Sequence, residues 1–168
     1  MNTHRILVAW HQLYLVPFDV SPQFVGDGVG TLIAAAAEPG HLIVRTGCAT
    51  GPVRVTLTSL PTPPVAVSDA PAGGAVDAED PWEAIEEVSL PVCEPLFWSS
   101  PDPGFDLPAE AAFTPQSPGP HRFRVSARGR LTAYDEAIVD PVEEYLVQVW
   151  PEPALRAAVA ERSDGAPI

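Results

Sequence analysis

The chain has 168 residues, 46% of them apolar, enough for one domain with a buried core and too many for wholesale disorder. Nine basic residues, all arginine, face 22 acids, and the net charge of −13 argues against nucleic acid and anionic membranes as direct partners. No apolar run approaches the ~20 residues of a membrane helix. The N-terminal run is broken by His11 and Gln12 with no cleavage site after it, so a cytoplasmic protein is expected.

Proline is the main punctuation, 21 residues concentrated at 61–71, 91–120 and 141–167. Its fixed φ and missing donor exclude long helices and central strands where it is dense. Short apolar runs between such breaks are the pattern of an all-β domain. The first run, residues 5–18, is apolar on both parities and reads as one strand covered on both faces, with His11 and Gln12 as its polar interruption. Gly26-Asp27-Gly28-Val29-Gly30-Thr31 lacks both the Lys-Ser/Thr ending and the spacing of phosphate-binding loops and reads as a turn. Residues 31–37 are alanine-rich, strand or helical turn, and residues 42–47 follow as a further strand. Residues 45–52 suit a hairpin loop. Beyond it Val53, Val55 and Leu57 alternate with Arg54, Thr56 and Thr58, a half-buried strand.

Residues 61–80 read as a surface loop of Pro, Ala, Gly, Ser and Asp. Asp80-Pro81-Trp82-Glu83 has the grammar of a helix start, but Val88, Leu90 and Val92 soon alternate as a strand does. A second loop-rich region spans 94–120. In residues 121–130, Phe123, Val125 and Ala127 point to the core, and Arg122, Arg124, Ser126, Arg128 and Arg130 point outward. Residues 143–150 alternate likewise and should pair antiparallel with that strand, bringing Glu143 or Glu144 opposite an arginine. The alanine-rich stretch 153–162 predicts a short helix, followed by a frayed end. The expected architecture is an all-β, antiparallel two-sheet sandwich over residues 1–152, with long proline-rich loops, then a helix and tail at 153–168.

Chemistry is sparse. His4, His11, His41 and His121 form no metal pair at i, i+2 or i+4 and adjoin no serine motif; His11 reads as a histidine hydrogen-bonded at a strand edge or under a loop. Cys48 and Cys93 lack a CxxC or Cys/His companion and read as free thiols. Asp77-Ala78-Glu79-Asp80 lacks the Gly and closing Glu of a calcium loop. No enzyme activity, catalytic residue, metal or cofactor is expected.

The acids are unevenly placed: between Val55 and Pro120 there is no basic residue and half of all the acids. The compact centre of that stretch, Asp77, Glu79, Asp80, Glu83, Glu86 and Glu87 with Trp82 as aromatic anchor, is the candidate surface for a basic protein partner. Arg122, Arg124, Arg128 and Arg130 read as internal partners for acids, not as a nucleic-acid stripe.

Several features resemble one family. Trp10-His11-Gln12-Leu13-Tyr14, a Gly/Ala segment before a hairpin, Phe105-Asp106-Leu107-Pro108 and the late acidic strand ending at Trp150 are similar to the competence protein J family of nuclease inhibitors. The likeness spans residues 5–60 and 82–151; the proline-rich loops at 61–80 and 109–120 and the tail after 152 depart from it. The resemblance implies a β-rich fold and inhibition of a nuclease by direct complex formation, in an immunity-type role. An acidic inhibitor needs no chemistry of its own, since its charge matches the basic cleft of an enzyme that binds polyanions. The alternative is a small-molecule or carbohydrate-binding sandwich with a pocket lined by Trp10, Tyr14, Trp98 or Trp150. A scaffold subunit with an exposed apolar patch is the third class.

Overall fold

The computed structural model describes residues 2–20, 30–37, 40–64, 82–102 and 107–166. Among these residues ten strands follow one another: β1 (Asn2–Ala9), β2 (Gln12–Pro17), β3 (Ile33–Ala37), β4 (Gly40–Arg45), β5 (Thr50–Ser59), β6 (Ala84–Val92), β7 (Leu96–Ser99), β8 (Gly119–Arg128), β9 (Glu144–Pro151) and β10 (Val159–Arg162). They form one sheet in the order β10-β6-β8-β9-β5-β1-β2-β4-β3, with β7 beside β2. The sheet curls: β3 and β4, at one end of the order, lie against β6 near the other. A curled, half-barrel sheet therefore replaces the expected sandwich of two sheets. Curling lets a single sheet bury one face on itself, as a barrel does.

The core lies in that concavity, where Ile6, Val8, Leu13, Leu15, Val53, Val55, Phe123, Val125, Tyr145 and Val147 meet. The period-2 alternation of β5, β8 and β9 supplies this face directly. β8 and β9 pair antiparallel as expected, with Arg128 opposite Glu144. β5 and β9 run parallel, with Arg54 opposite Glu144 and Val55 opposite Tyr145.

Residues 5–18 are not one strand. The chain reverses at Trp10-His11, and β1 and β2 pair only at Ala9 and Gln12 before β1 joins β5 and β2 joins β4 and β7. The two-sided burial read from the sequence survives in β2. Leu13 and Leu15 enter the main core, while Tyr14 and Val16 pack with Ala34 and Ile43 on the opposite face.

The C-terminal helix is also absent. Residues 152–158 are irregular, and β10 pairs antiparallel with β6. This tail lies over the outer face of β6, β8 and β9. Alternation does send Arg122, Arg124 and Arg128 of β8 to that face, but the tail meets two of them: Arg122 donates to the Ala157 carbonyl at 2.9 Å and Arg124 faces Glu161, while Arg130, beyond the end of β8, turns to the Thr31 carbonyl and Asp164. Alanine favours a helix only weakly. Here those local preferences lose to a strand pairing and to several charged hydrogen bonds.

Candidate protein-binding surface

The strand registers gather one set of loops at a single end of the sheet. β1 ends where β5 begins, β4 ends where β2 begins, and β8 ends where β6 and β9 begin. The Trp10-His11 turn, the 46–49 loop, Trp82-Glu83 and the 129–143 loop therefore share this end.

The turn has two residues, both with positive φ (54° and 59°), as the tight turns of hairpins require. Asn-Gly normally fills such positions; a bulky side chain with left-handed φ costs on the order of 1–3 kcal/mol. Asp135, in the facing loop, has φ 61°. Hydrogen bonds hold the strained residues together. His11 N–H donates to the Ala49 carbonyl at 3.2 Å, Thr46 N–H to the His11 carbonyl at 2.9 Å and Asp135 N–H to the Gly47 carbonyl at 2.9 Å. His11 Nδ1 lies 3.2 Å from the Thr46 carbonyl and Nε2 3.0 Å from Asp135 Oδ1, so only the doubly protonated ring donates to both.

Beneath the turn lies a buried carboxylate. Glu143 is fully buried and accepts from Gly47 N–H (2.9 Å), Cys48 N–H (2.5 Å) and the Tyr145 hydroxyl. Burial first, then the Glu143 charge, pushes the Cys48 thiol up to about 12 and raises Tyr145 well above the usual phenol range. Both stay neutral, and neither is poised as a nucleophile. Any side chain at position 47 would run into the Arg130 backbone carbonyl, so glycine is what lets the two loops close.

The predicted carboxylates separate into two groups. Asp77, Glu79 and Asp80 lie outside the described residues. Trp82 is half-buried with the Arg128 guanidinium 5.3 Å from its ring centroid, and Glu83 is exposed and accepts from Gly129 N–H at 2.8 Å. Glu86 and Glu87 are buried and face opposite sides of β6. Glu86, 1% exposed, points into the curl and accepts from the N–H groups of Leu32 and Ile33 at 3.0 and 2.8 Å, tying the start of β3 to β6. Glu87 bridges Arg122 and Arg124 at 2.9 and 2.6 Å under the C-terminal tail. Both belong to the fold's own polar network, and the exposed surface at this position is Trp82 and Glu83.

Sequence reading placed Trp10 within a strand and offered it as a pocket wall; its side chain is 73% exposed at the tip of the turn. The 129–143 loop beside it exposes Leu131, Val139, Asp135, Glu136 and Asp140. The polar His11-Gln12 break after Trp10 was the available signal of a reversal; the apolar residues on both sides disguised it as mid-strand.

All nine arginines have acceptors within the chain. Glu87, Glu144, Glu152, Glu161 and Asp164 take up Arg54, Arg122, Arg124, Arg128, Arg130 and Arg156. Arg5, Arg45 and Arg162 donate to the carbonyls of Val139, Gly30 and Trp82. The aromatic residues of the alternative, ligand-binding reading diverge. Trp10 is at the turn, Trp150 is buried on the face under the tail with Arg124 over its ring, and Tyr14 and Trp98 sit on neighbouring β2 and β7. A cleft of about 240 Å³ adjoins Trp98, His4 and Glu110, smaller than the roughly 300–1,000 Å³ of small-molecule sites. Among the described residues no three His, Cys, Asp or Glu side chains are grouped to hold a metal.

No family profile and no curated sequence matches the chain. Among solved structures it is similar to ComJ of Bacillus subtilis, an inhibitor of the DNA degrading activity of NucA. The TM-score is 0.54 at 11% identity, covering 90% of this chain and 96% of that one. The likeness runs nearly the whole length of both chains and establishes a ComJ-like fold.

Proposed function

We propose that this protein is a non-enzymatic inhibitor that binds a nuclease and covers its DNA-binding cleft with a negatively charged surface. The observation that carries the reading is the internal use of all nine arginines in a chain of net charge −13. Each guanidinium has an acceptor within the chain and the acids outnumber the arginines 22 to 9, so the net field at the surface is negative. Such a field repels DNA and steers the protein to a basic cleft. The fold it shares with a nuclease inhibitor supports the same reading. Asp77, Glu79, Asp80, Trp82 and Glu83 remain the carboxylate-and-tryptophan surface we assign to the partner. A cytoplasmic immunity role, protecting the producing cell from its own nuclease, is the setting that fits.

The test is a DNA-degradation assay with the purified nucleases of the producing cell, beginning with any encoded beside this gene. Loss of degradation at a one-to-one ratio by at least one of them supports the proposal. Full activity of every one in the presence of excess protein overturns it. Reversing Asp77, Glu79, Asp80 and Glu83 to lysine together should weaken the complex; unchanged affinity would relocate the surface.

A further inference from the structure

We infer that the Trp10 turn is a docking face for a basic protein, with an arginine or lysine of the partner seated on the Trp10 indole. The inference rests on the inhibitor reading for the partner's class, and on independent geometry for the place. Trp10 exposes 73% of its surface, whereas Trp98 and Trp150 are buried and Trp82 is partly covered by Arg128. Its backbone is held in a left-handed conformation that asparagine or glycine adopts at no comparable cost. The indole therefore sits at a position where it weakens the fold and contributes little buried area.

The surroundings choose the occupant. Asp135, Glu136 and Asp140 stand exposed in the adjacent loop, with Val139 and Leu131 as apolar neighbours. The arginines of the same end are already engaged: Arg54 and Arg128 with Glu144, Arg130 with Asp164, Arg45 with the Gly30 carbonyl and Arg5 with the Val139 carbonyl of the loop itself. An indole face with carboxylates around it is complementary to a guanidinium or ammonium group, which gains from both ring and charge. The Glu143 clamp and the His11–Asp135 contact fix the backbone beforehand, so little entropy is lost on docking.

The variant that tests this is Trp10→Asn, which suits the left-handed backbone and should fold at least as stably as the parent. Two probes are used: the nuclease found by the degradation assay, and a short arginine-rich peptide at low salt, read by the indole N–H signals of the four tryptophans. The inference expects the Trp10 signal to move with the peptide while the buried Trp98 and Trp150 stay, and Trp10→Asn to weaken nuclease binding about 30-fold. Peptide docking at Trp10 without any inhibited nuclease would sink the inhibitor reading and leave the basic-partner surface standing. A nuclease bound equally well by Trp10→Asn would sink this surface and leave the inhibitor reading standing. A Trp10 signal unmoved by the peptide when no nuclease is bound, or dimerisation of the protein abolished by Trp10→Asn, would also overturn it.

Discussion

Glu143, Glu86 and Glu87 are buried carboxylates, and each is matched to donors far away in sequence. Glu143 serves Gly47 and Cys48, Glu86 serves Leu32 and Ile33, and Glu87 serves Arg122 and Arg124. Removing the charge from such a site leaves N–H groups without a proper acceptor. Glu143→Gln should lower stability by about 2–4 kcal/mol, measured by urea unfolding, because its amide turns donors towards donors. The two thiols give a second measurement. Cys93 is exposed and Cys48 fully buried, so a thiol reagent should modify Cys93 in the native protein at once and Cys48 only at the rate of unfolding. The Cys48 thiol ionises near 9 when unfolded and near 12 when folded. Above pH 9 the unfolded chain releases a proton that the folded one keeps. The stability from this neutral thiol is therefore full below pH 9 and is lost as pH rises towards 12. Melting temperature should fall over that window, and Cys48→Ala should make the fall shallower. None of these pairings was legible in sequence, because an acid in an alternating strand reads as solvated until its remote donors are placed.

The elements were legible where one face is apolar and the other polar. β5, β8 and β9 follow their alternation, and the antiparallel β8–β9 pair brings Glu144 to Arg128 as the pattern predicts. They were illegible where both faces are covered. The Trp10-His11 reversal hides in a run apolar on both parities, and the tail hides a strand in alanine-rich sequence. The tail's role follows from the side chains it bonds, Arg122, Arg124 and Arg130, of which Arg124 lies over the Trp150 ring. Deleting residues 153–168 should expose these, shifting tryptophan emission to longer wavelength. It should also create retention on a heparin matrix at low salt, where the intact chain of net charge −13 is expected to flow through. A deletion variant with unchanged emission and no retention would show that the arginine face is covered by something else.

At the scale of the whole molecule, charge and shape act together. Six arginines are absorbed by five carboxylates, so most of the acid excess stays uncompensated. Association with a basic nuclease should then be fast at low ionic strength and slow several-fold on going from about 0.05 to 0.3 M salt, measured by stopped-flow. An association rate indifferent to salt would argue for a purely apolar interface. Acidity was legible in composition, and the proposed class of partner is argued from it. The curl was not, because it depends on β3 and β4 reaching β6 through Glu86, a contact that no local pattern encodes.

The parallel register of β5 with β9 sets a timetable for synthesis. Arg54 to Ser59 wait for partners at Glu144 to Val149, so the edge of β5 stays open until those residues, some 90 positions later, have left the ribosome. β1 can dock on the other edge of β5 much earlier, but the curl has no closing partner until β6, β8 and β9 are made. Such distant pairings slow folding and lengthen the time during which an unpaired strand is open to other chains. The nascent protein must therefore pass its most vulnerable interval tethered, with its own repulsive charge as protection against its neighbours.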